Sequence, residues 1–231
     1  MDDEHPIDIV RADETDLHRT AALHVTELPH GLFPRLGVGF VRLWHRANLK
    51  SVHGVVLVAR HADVVVGVLL GTTDRKANVA WILRHHRREL TGAALRAFVT
   101  RPYVFGLFLR TRGRRYLWRV FSRGPTPPTV LPENADGGVG AAAAGPVAVL
   151  DAIVVAPHAR GRSVGTVLVD EYLAIVAEAG IDRAELVTKA GVEGAAGFYE
   201  RGGWHRVGTH LDRDGDRVLT YRIDPLARRT R

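Results

Sequence analysis

Between Arg160 and Gly165 the chain reads Arg-Gly-Arg-Ser-Val-Gly, residue types suited to gripping a diphosphate. The run follows an apolar, β-branched segment, Val147 to Val155, and a turn, Ala156-Pro157-His158. An amphipathic helix is predicted to begin near Ser163. Strand, glycine-containing loop and helix N-terminus in that order leave main-chain N–H groups pointing outward without partners. The helix dipole adds roughly half a positive charge at that end. Arg160 and Arg162 add whole charges, and Gly161, Ser163 and Gly165 are small enough for an anion to touch the backbone. The candidate anion site is therefore Arg160, Gly161, Arg162, Ser163, Val164, Gly165 and Thr166. The plainer alternative is an ordinary strand–turn–helix with a basic surface loop. Neither a Walker loop nor a GxGxxG fingerprint is present.

Asp151 is the second residue of interest, since it interrupts an otherwise apolar strand. An ionisable group there is either paired or functional. If it is partly buried, its pKa should rise toward the range in which it accepts a proton. No HExxH motif or clustered His/Asp spacing occurs, so no metal site is predicted. Asp212-Arg213-Asp214-Gly215-Asp216 opens like a calcium loop but lacks the bidentate Glu, and reads better as a hairpin turn.

The elements that must position these residues follow in order. Ile7 to Arg11 reads as a strand, and a helix then runs to about Glu27. Leu28-Pro29-His30-Gly31 stops it, and a second helix carries Phe40, Val41, Leu43 and Trp44 on its apolar side. Val52 to Arg60 and Val64 to Gly71 form an antiparallel hairpin. Ser163 to Ala179 is a helix with Val164, Leu168, Tyr172, Ile175 and Val176 on one face and Gly180 as its stop. Ala184 to Thr188 is a strand and Gly194 to Arg201 a short helix. Trp204 to Thr209 and Arg217 to Ile223 are strands, and Leu226 to Arg231 is a frayed basic tail.

About seventy-five residues separate the hairpin from the central strand. Residues 78–124 have helical spacing, with Pro102 and Gly113 suggesting three short helices. Residues 125–146 are low-complexity and predict a flexible linker within the domain. From Arg84 to Arg123 there are eleven arginines and one acid, Glu89, so this segment more than accounts for the chain's net charge of +7. Four readings fit: a solvated arginine face, a lid selecting an anionic acceptor, a membrane-surface contact through 84–123, or nucleic-acid binding. For the last, no helix-turn-helix, RRM or zinc-finger signature is present.

The chain of 231 residues is 46% apolar, enough for one core, and contains no cysteine. Disulfides, thiolate nucleophiles and cysteine-based zinc sites are thereby excluded. No run of eighteen apolar residues exists, so no membrane span is predicted. The acidic N-terminus, MDDEHPIDIV, lacks the layout of a secretion signal, and the expected location is cytoplasmic.

At Arg160–Gly165 the chain resembles the GNAT superfamily of acyl-CoA-dependent N-acyltransferases, whose pyrophosphate loop has the pattern Gln/Arg-x-x-Gly-x-Gly/Ala. Ser163 replaces the middle glycine; as a small residue and a good N-cap it should preserve the loop. Ala195-Ala196-Gly197-Phe198-Tyr199-Glu200-Arg201-Gly202-Gly203-Trp204 resembles the family's A-x-x-F-Y-E-K-x-G-F segment. The Asn usual three residues before that Ala is Val192 here, which removes one CoA contact.

The resemblance is clear over Val147–Ile223 and weaker over Ile7–Thr73. It implies an α/β fold: a GNAT-type mixed central sheet flanked by helices, with the basic helical segment inserted before the central strand of a single domain, 1–231. It also implies acetyl-CoA as acyl donor and an amine as acceptor, with a small molecule such as an amino sugar as the suggested acceptor. A backbone N–H near Val154 or Val155 would face the thioester carbonyl. Tyr199 would protonate the leaving sulfur, or else serve only as a core aromatic beside Phe198. The first two helices frame the acceptor pocket in that family, so His24, Glu27, His30 and Phe33 become acceptor-site candidates by position. Asp151 is the first candidate for the base, with Glu27 and His24 in reserve. A fold that binds CoA or a phosphorylated ligand without transferring it is the alternative.

Overall fold

The computed structural model describes residues 6–108, 145–191, 195–212 and 214–229. Those residues form one seven-stranded mixed sheet. The strands are β1 (Asp8–Arg11), β2 (Gly54–His61), β3 (Val64–Thr72), β4 (Ala148–Val155), β5 (Ala184–Lys189), β6 (His205–Leu211) and β7 (Arg217–Ile223). They lie in the order β1-β2-β3-β4-β5-β7-β6. All neighbouring pairs are antiparallel except β4 with β5. The helices are α1 (Leu17–Glu27), α2 (Leu32–Leu36), α3 (Val38–Lys50), α4 (Arg75–Thr100), α5 (Pro102–Phe108), α6 (Val164–Glu178), α7 (Ala195–Arg201) and α8 (Pro225–Arg229).

Strand alternation sends side chains to two cores. Val56, Val58, Val68, Leu70 and Val154 meet Phe33, Phe40, Trp44, Ile82 and Leu90 from α2, α3 and α4. Val55, Leu57, Leu69, Leu150 and Leu186 meet Leu168, Tyr172, Val176 and Tyr199 on the opposite face. Close seating of α6 on the sheet depends on Gly71. A Cβ there would lie 2.4 Å from the Tyr172 ring, whose hydroxyl donates to the Thr72 carbonyl at 2.9 Å.

Three expectations need correction. The second helix is split by Gly37, whose φ of 93° is unfavourable for other residues, so that α2 precedes α3. The break in the basic segment falls at Pro102 as the sequence suggested, but its first helix, α4, is longer than expected at 26 residues. Asp74 caps it by accepting from the Ala77 N–H at 3.0 Å, and no proline interrupts it before Pro102. The rest of the basic segment and the low-complexity stretch, 109–144, lie outside the described residues. The C-terminal tail forms α8: Asp224 accepts from the Leu226 and Ala227 amides, Pro225 starts the helix, and Arg228 reaches the Gly202 carbonyl and Asp170.

Candidate functional site

The site begins where two parallel strands part. β4 and β5 pair only over Ala148–Leu150 and Ala184–Leu186. On its other side β4 pairs with β3, where Leu70 faces Ala152 and Gly71 faces Leu150. Asp151 is thus an extra residue, a bulge that bends β4 at the point of parting. Beyond it, the facing edges of β4 and β5 have no ladder to each other.

Alternation identifies the open amide. The Ala156 N–H donates to the Val66 carbonyl at 2.8 Å, so Ala156 and, two residues back, Val154 turn toward β3. Val155 turns toward the open edge. Its carbonyl accepts from the Nε of Arg160 at 3.1 Å, on that same edge. Of the two amides suggested by sequence, Val155 is the one facing the gap.

The loop after β4 matches the anion-site geometry. Pro157–Ala159 is a single 3₁₀ turn, and Gly161 and Ser163 both adopt positive φ, 76° and 59°. The first α6 amide with an intrahelical-type bond is that of Val167, donating to Ser163 at 3.0 Å. Among the described residues, the amides of Gly161, Arg162, Ser163, Val164, Gly165 and Thr166 have no main-chain or side-chain acceptor. Six successive unpaired donors at a helix start have the geometry of a nest suited to an anion. Ser163 is not the cap that its chemistry suggested, because its hydroxyl accepts from no helix amide. It occupies a left-handed conformation that favours glycine, at a cost of about 1 kcal/mol. The Phe198 ring packs against the loop's Gly165, where an added Cβ would lie 3.4 Å from Cζ.

Arg162 is exposed, whereas Arg160 is engaged. Besides the Val155 carbonyl, its guanidinium pairs with Glu27 at the end of α1. Glu27 is largely covered, with 17% of its side chain exposed. Across the gap, Lys189 at the end of β5 pairs with Asp216 in the β6–β7 turn. The hydrogen bond from Lys189 holds the Asp216 carboxyl below its ordinary range, helped by the charges of His30 and Arg35. His30 in the α1–α2 loop and Arg35 in α2 are thus within electrostatic reach of the β6–β7 turn. The turn closes on Asp212, which accepts from the Asp214 and Asp216 amides. No group of side chains suited to holding a metal exists among the described residues.

The other acceptor candidates divide. His30 is exposed in the α1–α2 loop. Phe33 is a core residue whose ring lies 5.1 Å from those of Phe40 and Trp44. His24 is buried between α1 and α3, its Nδ1 3.0 Å from Nε2 of His45. Thr20 donates its hydroxyl hydrogen to the Leu17 carbonyl, so it accepts from His45 Nδ1 at 3.0 Å. His45 Nε2 then accepts from His24 Nδ1, and both rings are neutral. Burial lowers both pKa values, that of His24 to about 4.

Asp151 is paired. Its carboxylate meets the Arg75 guanidinium from the first turn of α4, and both side chains are nearly covered. Burial pushes its pKa up while Arg75 pulls it down. The same cluster, with burial leading, drives the Tyr172 hydroxyl far up. Tyr199 is buried among Phe198, Trp204 and Tyr221, which pushes its hydroxyl up and keeps it protonated. With Thr166 and Phe198 it lines a cavity of about 200 Å³ between α6 and α7. The structure thus joins Tyr199 to the loop helix, and Glu27 to Arg160, but leaves Asp151 in a separate buried pair. A larger cavity, about 560 Å³, lies at the far end of the sheet around Asp182, Arg183, His205 and Arg222. Sequence reasoning missed Arg75, Lys189 and Asp216, because only the β5-β7-β6 order brings the last two together.

A mixed α/β sheet whose central strands part beside a loop of unpaired amides is the geometry that defines the candidate site. The sequence matches the Acetyltransferase (GNAT) family over residues 112–204. Among solved structures, a GNAT-family acetyltransferase from Desulfovibrio desulfuricans is 16% identical, with 95% of this chain and 99% of that one covered and a TM-score of 0.53. The ribosomal-protein-S18-alanine N-acetyltransferase from Escherichia coli is 13% identical, with 95% and 94% covered and a TM-score of 0.50. A structure described as histone acetyltransferase HPA2 and related acetyltransferase, from Corynebacterium glutamicum, is 17% identical, with 95% and 96% covered and a TM-score of 0.53. At these identities the likeness is one of fold. No curated protein matches the sequence. The chain thus shares the fold of GNAT acetyltransferases, and its residues 112–204 match that family's model. GNAT enzymes use acetyl-CoA as donor, and the fold supports acetyl transfer in general.

Proposed function

We propose that the protein moves an acetyl group from acetyl-CoA to the amine of a small-molecule acceptor by direct attack. The observation that supports this most is the run of six free amides, Gly161–Thr166, beside the opening between β4 and β5. In this reading the amides and Arg162 hold the diphosphate, and the pantetheine arm lies along the open edge of β4. The amine enters between the α1–α2 loop and the β6–β7 turn, near Glu27, His30 and Asp216. Glu27 takes the proton that the amine must lose before its nitrogen attacks the thioester carbon. The Val155 N–H meets the carbonyl oxygen as negative charge gathers there. The C–S bond breaks, the sulfur takes the Tyr199 proton, and the nitrogen gives up its second proton, which restores the tyrosine hydroxyl through solvent. Asp151, held by Arg75, sets the bend of β4 and is a positioning residue.

Isothermal titration with acetyl-CoA, followed by mass spectrometry of an amine panel, tests the proposal. Heat at micromolar to low-millimolar ligand and a gain of one acetyl group on an amine are expected; no heat at millimolar acetyl-CoA ends it.

A second reading, action at an anionic membrane surface, draws on α4 and α5. Leu95, Val99, Tyr103 and Phe105 are exposed there, with Arg84, Arg87, Arg88 and Arg96 also on the outer surface of α4. Co-sedimentation with vesicles containing phosphatidylserine, abolished by salt, is its expected signature.

A further inference from the structure

Arg160 belongs by sequence to the loop that would hold the diphosphate. Yet its side chain makes its hydrogen bonds elsewhere. Its Nε donates to the Val155 carbonyl at 3.1 Å, and its terminal nitrogen pairs with Glu27 on α1. A pantetheine amide laid along β4 needs the first of these groups. A cationic acceptor amine needs the second. Arg160 itself is 56% exposed while Glu27 is 17% exposed, so the mobile partner of the pair is the arginine. One to three residues away lie free amides that draw an anion to the same place.

We propose that Arg160 is a latch shared by the two substrate sites. Without donor it screens the Glu27 carboxylate and occupies the Val155 carbonyl. When CoA binds, the diphosphate offers the guanidinium a doubly charged, bidentate partner and the pantetheine arm displaces it from β4. Arg160 swings onto the phosphates, and Glu27 becomes available to the acceptor's ammonium group. Donor binding thereby creates the acceptor site, which couples the two in a fixed order. The latch deepens the transferase reading and rests on its donor site.

A linked pair must be broken before CoA can bind, so removing Glu27 should help the donor. Titration calorimetry with CoA as the probe tests this in the full chain, with Glu27→Gln, Arg160→Gln and the double variant. Thermal melts establish that each is folded. Partly exposed ion pairs are modest in strength, so Glu27→Gln should tighten CoA binding about two- to fivefold. Arg160→Gln should weaken it, and adding Glu27→Gln to Arg160→Gln should change nothing more. The latch is overturned if Glu27→Gln leaves the CoA affinity unchanged or weakens it. It is equally overturned if the substitution tightens binding to the same extent in the Arg160→Gln background. If the parent itself gives no heat with CoA, the donor-site reading falls along with the latch; if the parent binds and the cycle shows no coupling, only the latch falls.

Discussion

The buried histidine pair makes the fold sensitive to mild acid, and the size of the effect follows from one ring. His24 has a folded pKa near 4, because its ring is buried. In the unfolded chain it titrates near 6.5. A depressed histidine pKa means that the unfolded state binds the proton first, so stability falls as pH drops through 6.5 and stops falling below about 4. Between pH 7.5 and pH 5.0 the expected loss from His24 alone is about 2 kcal/mol, at roughly 1.36 kcal/mol per pKa unit. His45, lowered by burial and by His24, adds to it in the same direction. The lowered carboxylates Asp13, Glu14 and Asp216 act below this window, since their stabilisation is lost only as pH falls past about 4. Asp151, whose pKa is raised, works in the opposite direction. Urea unfolding followed by circular dichroism at the two pH values, for the parent and for His24→Met/His45→Met, isolates the pair. The double variant should lose at least about 2 kcal/mol less than the parent. Equal losses in both proteins would refute the neutral, buried pair.

Other consequences are as specific. Gly71→Ala puts a methyl 2.4 Å from the Tyr172 ring, and a thermal melt should show a loss of about 1–3 kcal/mol. Asp151→Asn leaves the Arg75 guanidinium buried without a counter-charge and should cost about 3 kcal/mol by urea unfolding. Ser163→Gly relieves a left-handed serine and should hold or slightly raise the melting temperature while leaving acetyl-CoA affinity within about twofold. Tyr199→Phe should lower kcat by about 10²-fold with little change in the acetyl-CoA KM, in steady-state assays on an acetylated amine.

Much of this was legible in the residues because local chemistry decided it. β-branched runs became β2, β3 and β4, and Arg217–Ile223 became β7 with the predicted bounds. The loop was readable because glycine and serine sit where the backbone turns left-handed. What escaped depends on distant pairing. The partner of Asp151 is Arg75, 76 residues away, and nothing near either residue announces it. Asp216 looked like part of a hairpin turn, which it is; its nearness to the α1–α2 loop comes from the strand order. His24 looked like a residue of the acceptor pocket because it lies near the end of α1. It points inward because α3 brings His45 to it across 21 residues.

The transferase proposal requires that the amides of Gly161–Thr166, unpaired in the free protein, hold the diphosphate of CoA. Titrating ¹⁵N-labelled protein with CoA and following the amide resonances tests it at the atoms concerned. Large, saturable shifts are expected at Gly161, Arg162, Ser163, Val164, Gly165 and Thr166, with Val155 following. Shifts confined to the far cavity around Arg183, His205 and Arg222, with the loop amides unmoved, would contradict it.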